Sequence, residues 1–313
     1  MSLGRLLVAT AAALLAAAPA LGAPGDIIVS DAGANAVLRV DPKTGDRSLV
    51  SSNRHGSGPR MIVPRGLALE PAGTLLLVDP ATDALLRIDR KSGNRSVLTS
   101  GEVGAGSVLR FPVEIAIEAD GSVLVSDLGE PAIVRVDPRT GDRTTVTSPL
   151  VGGGDPIHTP GDMIVERSGA ILVADFTIPA LVRVDPKTGQ RRIFCSEDRG
   201  QGPSFMRPVG VSVEADDTLL VIDSGSNALY RVDPRSGDRS VVSSADRGKG
   251  QPFVNPHNVT VEADGGILVF DDGIAALLRV DPRSGDRTVI SSNTVGKGTI
   301  FGEVWGIVVV PGP

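Results

Sequence analysis

The phrase Arg-Val-Asp-Pro-Lys-Thr-Gly-Asp-Arg begins at Arg39, and close variants begin at Arg87, Arg135, Arg183, Arg231 and Arg279. Every interval is 48 residues, without insertion or deletion. A second series, Asp31, Asp79, Asp127, Asp175, Asp223 and Asp271, keeps the same step. Self-similarity at such a period means one small unit repeated, each copy burying its apolar surface against the next. Within each unit lie four short runs of Val, Leu and Ile bounded by Gly, Pro, Asp and Ser. In the unit starting at Pro64 these are Gly-Leu-Ala-Leu-Glu, Thr-Leu-Leu-Leu-Val-Asp, Ala-Leu-Leu-Arg-Ile-Asp and Arg-Ser-Val-Leu-Thr-Ser. Runs of this length and composition are strands joined by tight turns. No segment after the leader shows helical periodicity. The expected fold is all-β: a six-bladed β-propeller of four-stranded antiparallel blades.

The chain ends support a ring. The first unit opens at Gly-Asp-Ile-Ile-Val-Ser-Asp, a second strand without its first, and the chain closes on Val304–Gly312, a lone first strand. Pairing the two completes the sixth blade and leaves no long open edge. Ahead of the ring, one early Arg5 precedes an Ala/Leu-rich run and small residues, the pattern of a secretory signal peptide. The expectation is a signal peptide over 1–23, cleaved after Ala20 or Ala23, and one propeller domain over 24–313. The mature protein is then secreted or periplasmic, with no membrane span and a monomeric ring.

Removing Arg5 leaves 30 basic residues against 37 acidic ones, a net charge of −7. That balance argues against nucleic acid as a partner, because phosphate contacts need clustered Lys and Arg. Aromatics are only 3% of residues, too few for base-stacking platforms. Cys195 is the sole cysteine, so no intramolecular disulfide forms. It stands where the other units carry Ser or Thr and reads as a buried small residue.

The pattern of Pro-x-Gly, Glu-Ala-Asp-Gly, Val-x-Asp and Leu-x-Arg-Val-Asp-Pro-x-Ser-Gly-Asp-Arg resembles the NHL family of six-bladed propellers. The resemblance covers about residues 25–311. It implies the fold strongly and the function weakly. Related propellers include secreted binding modules and, more distantly, calcium-dependent lactonases and phosphotriesterases of the gluconolactonase and paraoxonase type.

Following the chain through a blade puts the Glu-Ala-Asp-Gly and Asp-Pro-x-Ser-Gly-Asp-Arg turns on one rim, the bottom. Recurring pairs there, such as Asp41 with Arg47 and Asp233 with Arg239, read as a solvated, salt-bridged surface. The opposite, top rim collects the Gly-x-Gly connections between units and the starts of the inner strands. Gly296 and Gly298 lack the spacing and helix of a phosphate loop; glycines at this step let the chain cross between blades.

With every unit the same length, function must lie where the units disagree. The largest disagreement is near the inner-strand starts. One slot reads Arg65, Val113, Gly161, Val209, His257, Trp305; the next reads Gly66, Glu114, Asp162, Gly210, Asn258, Gly306. Glu114, Asp162 and Asn258 replace glycine with oxygen-bearing side chains at the mouth of the central channel. Such hard oxygens suit Ca²⁺. In gluconolactonase-type enzymes the ligands stand one residue before the glycine, so this carry-over is by location and not by motif. His257, or His158, would assist proton transfer if the site were catalytic. A "Pro-His" at this slot is also similar to zinc-bearing propeller lyases, but only His257 occupies it, too few for a three-His zinc site. Arg65, Arg110, Arg207, Asn255, Glu303 and Trp305 form the expected binding rim. The leading expectation is a binding or interaction module for a protein or small-molecule ligand at this rim. The alternative is a calcium-dependent hydrolase of lactones or esters.

Overall fold

A computed structural model describes residues 25–312. The expected signal peptide at 1–23 lies outside the described residues. Six sheets form; five run their four main strands in sequence order from inside to outside, and in the first the chain's last strand takes the inner place. The second blade is typical: Leu67–Leu69, Leu75–Asp79, Ala84–Ile88 and Arg95–Thr99. The second strands are buried along their whole length, which is why they read as unbroken apolar runs instead of alternating.

Closure follows the expected route. Ile27–Asp31 pairs antiparallel with Val304–Val309, with Ile27 opposite Val309 and Val29 opposite Ile307. Core packing is between blades: Leu76 and Val78 of the second share one cluster with Val123 and Val125 of the third. No blade could bury its apolar faces alone, so the ring is the folding unit.

The arginines that open the outer strands depart from the sequence expectation. They are not a solvated surface. Arg47, Arg95, Arg143, Arg239 and Arg287 are buried, each only 6–7% exposed. Arg239 donates from Nε to the Pro203 carbonyl at 2.6 Å, and from one terminal nitrogen to the Ser196 and Arg199 carbonyls at 2.8 and 2.9 Å. The same nitrogen meets Cys195 Sγ at 2.9 Å. Each guanidinium therefore satisfies the last carbonyls of the preceding blade and clips two blades together. Cys195 is buried, as expected of a small residue in a Ser/Thr slot. The companion series behaves closer to expectation: Arg183 pairs with Glu166 at 2.6 Å while half-buried at the rim.

The Gly-x-Gly connections, expected on the top rim, instead pack against the Gly-x-Arg turn that opens the next blade's outer strand on the bottom side. Gly56 has φ 79°, and a Cβ there would stand 1.9 Å from the Gly93 carbonyl oxygen. Backbone approach this close excludes any side chain. The repeated aspartates cap the turns at the inner-strand starts. Asp127 accepts from the Arg110 and Gly129 amides at 2.7 and 2.9 Å.

Candidate functional site at the channel mouth

Four inner strands begin with a proline, at Pro112, Pro160, Pro208 and Pro256, and then slip register by one residue. In the sixth blade Pro256 faces Asp271 and Asn258 faces Phe270, leaving His257 unpaired between them. Val113 and Val209 are left out in the same way, and Trp305 lies at the matching shift of the closing strand. A bulge leaves its extra residue outside the ladder and re-aims its side chain. Arg65, Val113, Gly161, Val209, His257 and Trp305, the whole slot, line one cavity of about 90 Å³ at the channel mouth. Glu114 and Asp162 of the following slot line it too, with Arg207.

Arg65, His257 and Trp305 form a compact trio. The Arg65 guanidinium stacks 3.9 Å from the Trp305 ring centre, and His257 meets that ring edge-on at 4.3 Å between centroids. Stacking occupies the face of the guanidinium and leaves its N–H edge free. Arg65 Nε, His257 Nδ1 and Trp305 Nε1 are buried without a hydrogen-bond partner. A buried polar atom left unpaired costs about 1–3 kcal/mol. All three residues border the one cavity, so a polar group entering it would meet them.

The electrostatics are set by burial. Desolvation pushes the Glu114 carboxyl well above the usual carboxylate range; Asp162 adds to the shift and Arg65 opposes it. Desolvation also raises Asp162 to about 7, against the amides that bond it. His257 is lowered to about 4 by desolvation first, then by Arg65 and Arg207. It is a neutral imidazole at pH 7.

The expected site residues divide accordingly. Arg65, Glu114, Asp162, Arg207, His257 and Trp305 come together. Asn258 is buried beside them, its Oδ1 without a partner, but it does not line the cavity. His158 is exposed and borders a separate cavity with Pro131 and Arg191, so the two candidate proton-transfer histidines are not joined. Arg110, Asn255 and Glu303 are exposed and stand outside the cavity lining.

The calcium expectation meets a specific difficulty. Both Asp162 oxygens accept backbone amides: Oδ1 from Met163 and Oδ2 from Val211 of the next blade, each at 2.8 Å. That carboxylate ties two blades together. Among the described residues no group of three or more His, Cys, Asp or Glu side chains is arranged to hold a metal. Calcium takes six to eight oxygens, and these residues do not fit that cage.

Leu128 and Phe176 also line the cavity, and sequence reasoning missed them. They belong to the slot after the repeat aspartate: Ala32, Pro80, Leu128, Phe176, Ser224, Asp272. Its variability was the available signal. Asp272 of this slot is raised to about 7, chiefly by burial, and its Oδ1 is unpartnered.

No protein-family model and no curated protein matches the chain. Solved structures do. A chain from a nidogen/laminin complex aligns over 90% of this chain and 97% of its own, at 14% identity and TM-score 0.67. A virginiamycin B lyase from Staphylococcus aureus aligns over 86% and 84%, at 18% identity and TM-score 0.58. A streptogramin B lyase aligns over 88% and 80%, at 15% identity and TM-score 0.60. Identities this low establish a shared fold, the NHL-like six-bladed propeller that the repeat implies.

Proposed function

We propose that this protein is a non-catalytic binding module that takes a polar group of its ligand into the channel mouth. The observation carrying this reading is that Arg65, His257 and Trp305 line one cavity and each has a buried, unpaired nitrogen, Nε, Nδ1 and Nε1 respectively. The cavity has room for a head group, about three waters by liquid volume. The remainder of the ligand would rest on the rim beside Arg207, Phe111 and Glu303. The nidogen and lyase propellers carry binding and lyase names on the same fold, so fold likeness does not choose between the classes. The leader pattern supports an exported, periplasmic or secreted location. Among the described residues no helix is long and apolar enough to cross a membrane.

The hydrolase reading is less well supported. A general base works best with a pKa near the operating pH, whereas His257 sits at about 4. His158 stands apart, and the carboxylates do not build a calcium cage.

Trp305 is the only tryptophan, so the site carries its own reporter. A library of small polar metabolites, screened by tryptophan emission, should yield ligands that shift Trp305 fluorescence and raise the thermal midpoint. Arg65→Ala should abolish both responses while the far-ultraviolet spectrum stays native. Turnover of aryl esters or lactones that vanishes in Glu114→Gln would instead refute the non-catalytic reading.

A further inference from the structure

The fourth blade differs from its sisters on the bottom outer edge, far from the mouth. Its outer strand, Gln190–Cys195, reads Gln-Arg-Arg-Ile-Phe-Cys. The slot of Gln190 is Asp46, Asn94, Asp142, Asp238 and Asp286 elsewhere; that of Arg192 is Ser or Thr in all five other blades. Phe194 stands where the others have Val, Leu or Ile. In the turn between the first two strands, Ser168 replaces an acid found at Asp120, Asp216 and Asp264.

These changes converge on one groove of about 850 Å³. The sixth blade supplies an internal control, a groove of about 600 Å³ built from equivalent positions. There Asp264, Asp286 and Thr288 stand where the fourth blade has Ser168, Gln190 and Arg192. Over the seven equivalent positions that line both grooves, the sixth blade carries Arg279 against Asp264, Asp281 and Asp286, a net −2, and the fourth carries Arg183 and Arg192 against Asp185, a net +1. The fourth-blade groove is lined by Arg183, Arg191, Arg192, Arg199 and Arg235 with Asp185, and Arg183 is held by Glu166 just outside the lining. Glu197 and Asp198 lie on the neighbouring turn but do not line it.

Two of these cations are uncommitted. The Arg192 and Arg235 side chains make no hydrogen bond or ion pair among the described residues, and Arg199 makes one bond, to the Ile193 carbonyl. Arg192 also faces Arg183 directly across the ladder, where the sister strands pair arginine with Ser or Thr. Like charges directly opposite are destabilising. Glu166 offsets Arg183, so the exposed Arg192 is the unpaired charge of the two, in a chain of formal net charge −6. The Arg183 guanidinium lies 3.9 Å over the half-buried Phe194 ring, giving the groove an apolar floor.

We propose that this groove is a second binding site, distinct from the mouth, and that it docks a short acidic peptide segment of a partner protein. Guanidinium forks match carboxylates two bonds at a time. Phe194 accepts the aliphatic stems of Glu side chains. A long polyanion would run from the groove onto the acidic remainder of the surface; a short acidic segment ends within it.

The test is fluorescence anisotropy of a fluorescein-labelled peptide of eight alternating Glu and Asp residues, in 50 mM NaCl, with the full mature protein. Binding should weaken in 500 mM NaCl, because exposed charges are screened. The combined variant Ser168→Asp/Gln190→Asp/Arg192→Thr, which installs the sixth-blade residues, should weaken binding at least tenfold. Arg192→Thr alone should weaken it at least threefold. These residues are tolerated in the sister blades, so the thermal midpoint should hold. Arg139→Thr, an equal loss of charge on the third blade, should leave affinity within twofold. Absence of peptide binding to the wild type, or unchanged affinity in the combined variant, overturns the proposal. So does capture of a sulfated oligosaccharide in place of the peptide.

Discussion

The outer clips and the channel mouth treat buried polar groups in opposite ways. At the perimeter, each buried arginine of the Arg47–Arg287 series spends its donors on fixed backbone acceptors of the preceding blade. At the mouth, Arg65, His257 and Trp305 keep buried nitrogens unpaired. The first arrangement closes a structure. The second leaves interaction energy unspent, which is useful only if something arrives. Within one repeat the same residue type, arginine, serves both ends, and its surroundings decide which.

The largest expected effect breaks the clip side. Arg239→Ala removes the charge-assisted hydrogen bonds to the Ser196, Arg199 and Pro203 carbonyls and opens a void between blades. Hydrogen bonds to charged groups contribute about 1.5–3 kcal/mol each, so a loss of at least ~3 kcal/mol is expected. At about 2–4 °C per kcal/mol for a domain somewhat smaller than this one, the thermal midpoint should fall by roughly 6–12 °C. A fall below about 2 °C in differential scanning calorimetry would show that the clips are redundant.

The carboxylates sharpen the comparison through pH. Burial raises the Asp162 carboxyl in the folded protein to about 7 from its ordinary 3.8. Its protonated form is the one the fold prefers, so its stabilising contribution is full below about 3.8 and is lost as pH rises through about 7. His257 works the other way: lowered from 6.5 to about 4, it contributes above 6.5 and loses that as pH falls through about 4. The two oppose each other between those values, so the informative quantity is a difference. The Asp162→Asn variant should gain stability relative to wild type steadily from pH 4 to pH 7.5, followed by thermal melts. A constant difference across that range would mean that Asp162 stays ionised in the fold.

At the mouth itself the expected effects on stability are small. Arg65→Ala removes a buried guanidinium with an unpaired nitrogen, and should change stability by less than about 1 kcal/mol while eliminating ligand response. That contrast with Arg239→Ala, one buried arginine against another, is the direct test of the two roles. A midpoint drop as large as that of Arg239→Ala would assign Arg65 to the scaffold. The smallest effect expected is from calcium: titration after EDTA should leave the thermal midpoint unchanged. A rise that Asp162→Ala removes would restore the cation reading for Glu114, Asp162 and Asn258.

The fold was legible because its determinants are local and repeated. The apolar runs, the turn glycines and the capping aspartates recur at one step, so every copy restates the same strand and turn. Even the closure could be read, since the first unit lacks a strand that the last supplies. The site was half legible. The two slots that vary most do meet at the channel mouth, and comparing units found them. What could not be read is which way each side chain turns after a bulge. Glu114 and Asp162 reach the cavity, while Asn258, in the same slot, is buried away from its lining. The Asp162 carboxylate also lost its freedom to a backbone amide of Val211, a partner 49 residues away in sequence.

The bottom-rim arginines show the same boundary from the other side. Their spacing alone announced a repeated role. Whether that role was exposed or buried depended on the strand end of the preceding blade, which the sequence places 40–44 residues earlier without saying that it folds back to meet them. Periodicity therefore determined the architecture, because strand pairing and turn formation depend on neighbours along the chain. Burial, and with it charge state and free hydrogen-bonding capacity, was decided only when six blades closed and set each polar group against a neighbour from another unit.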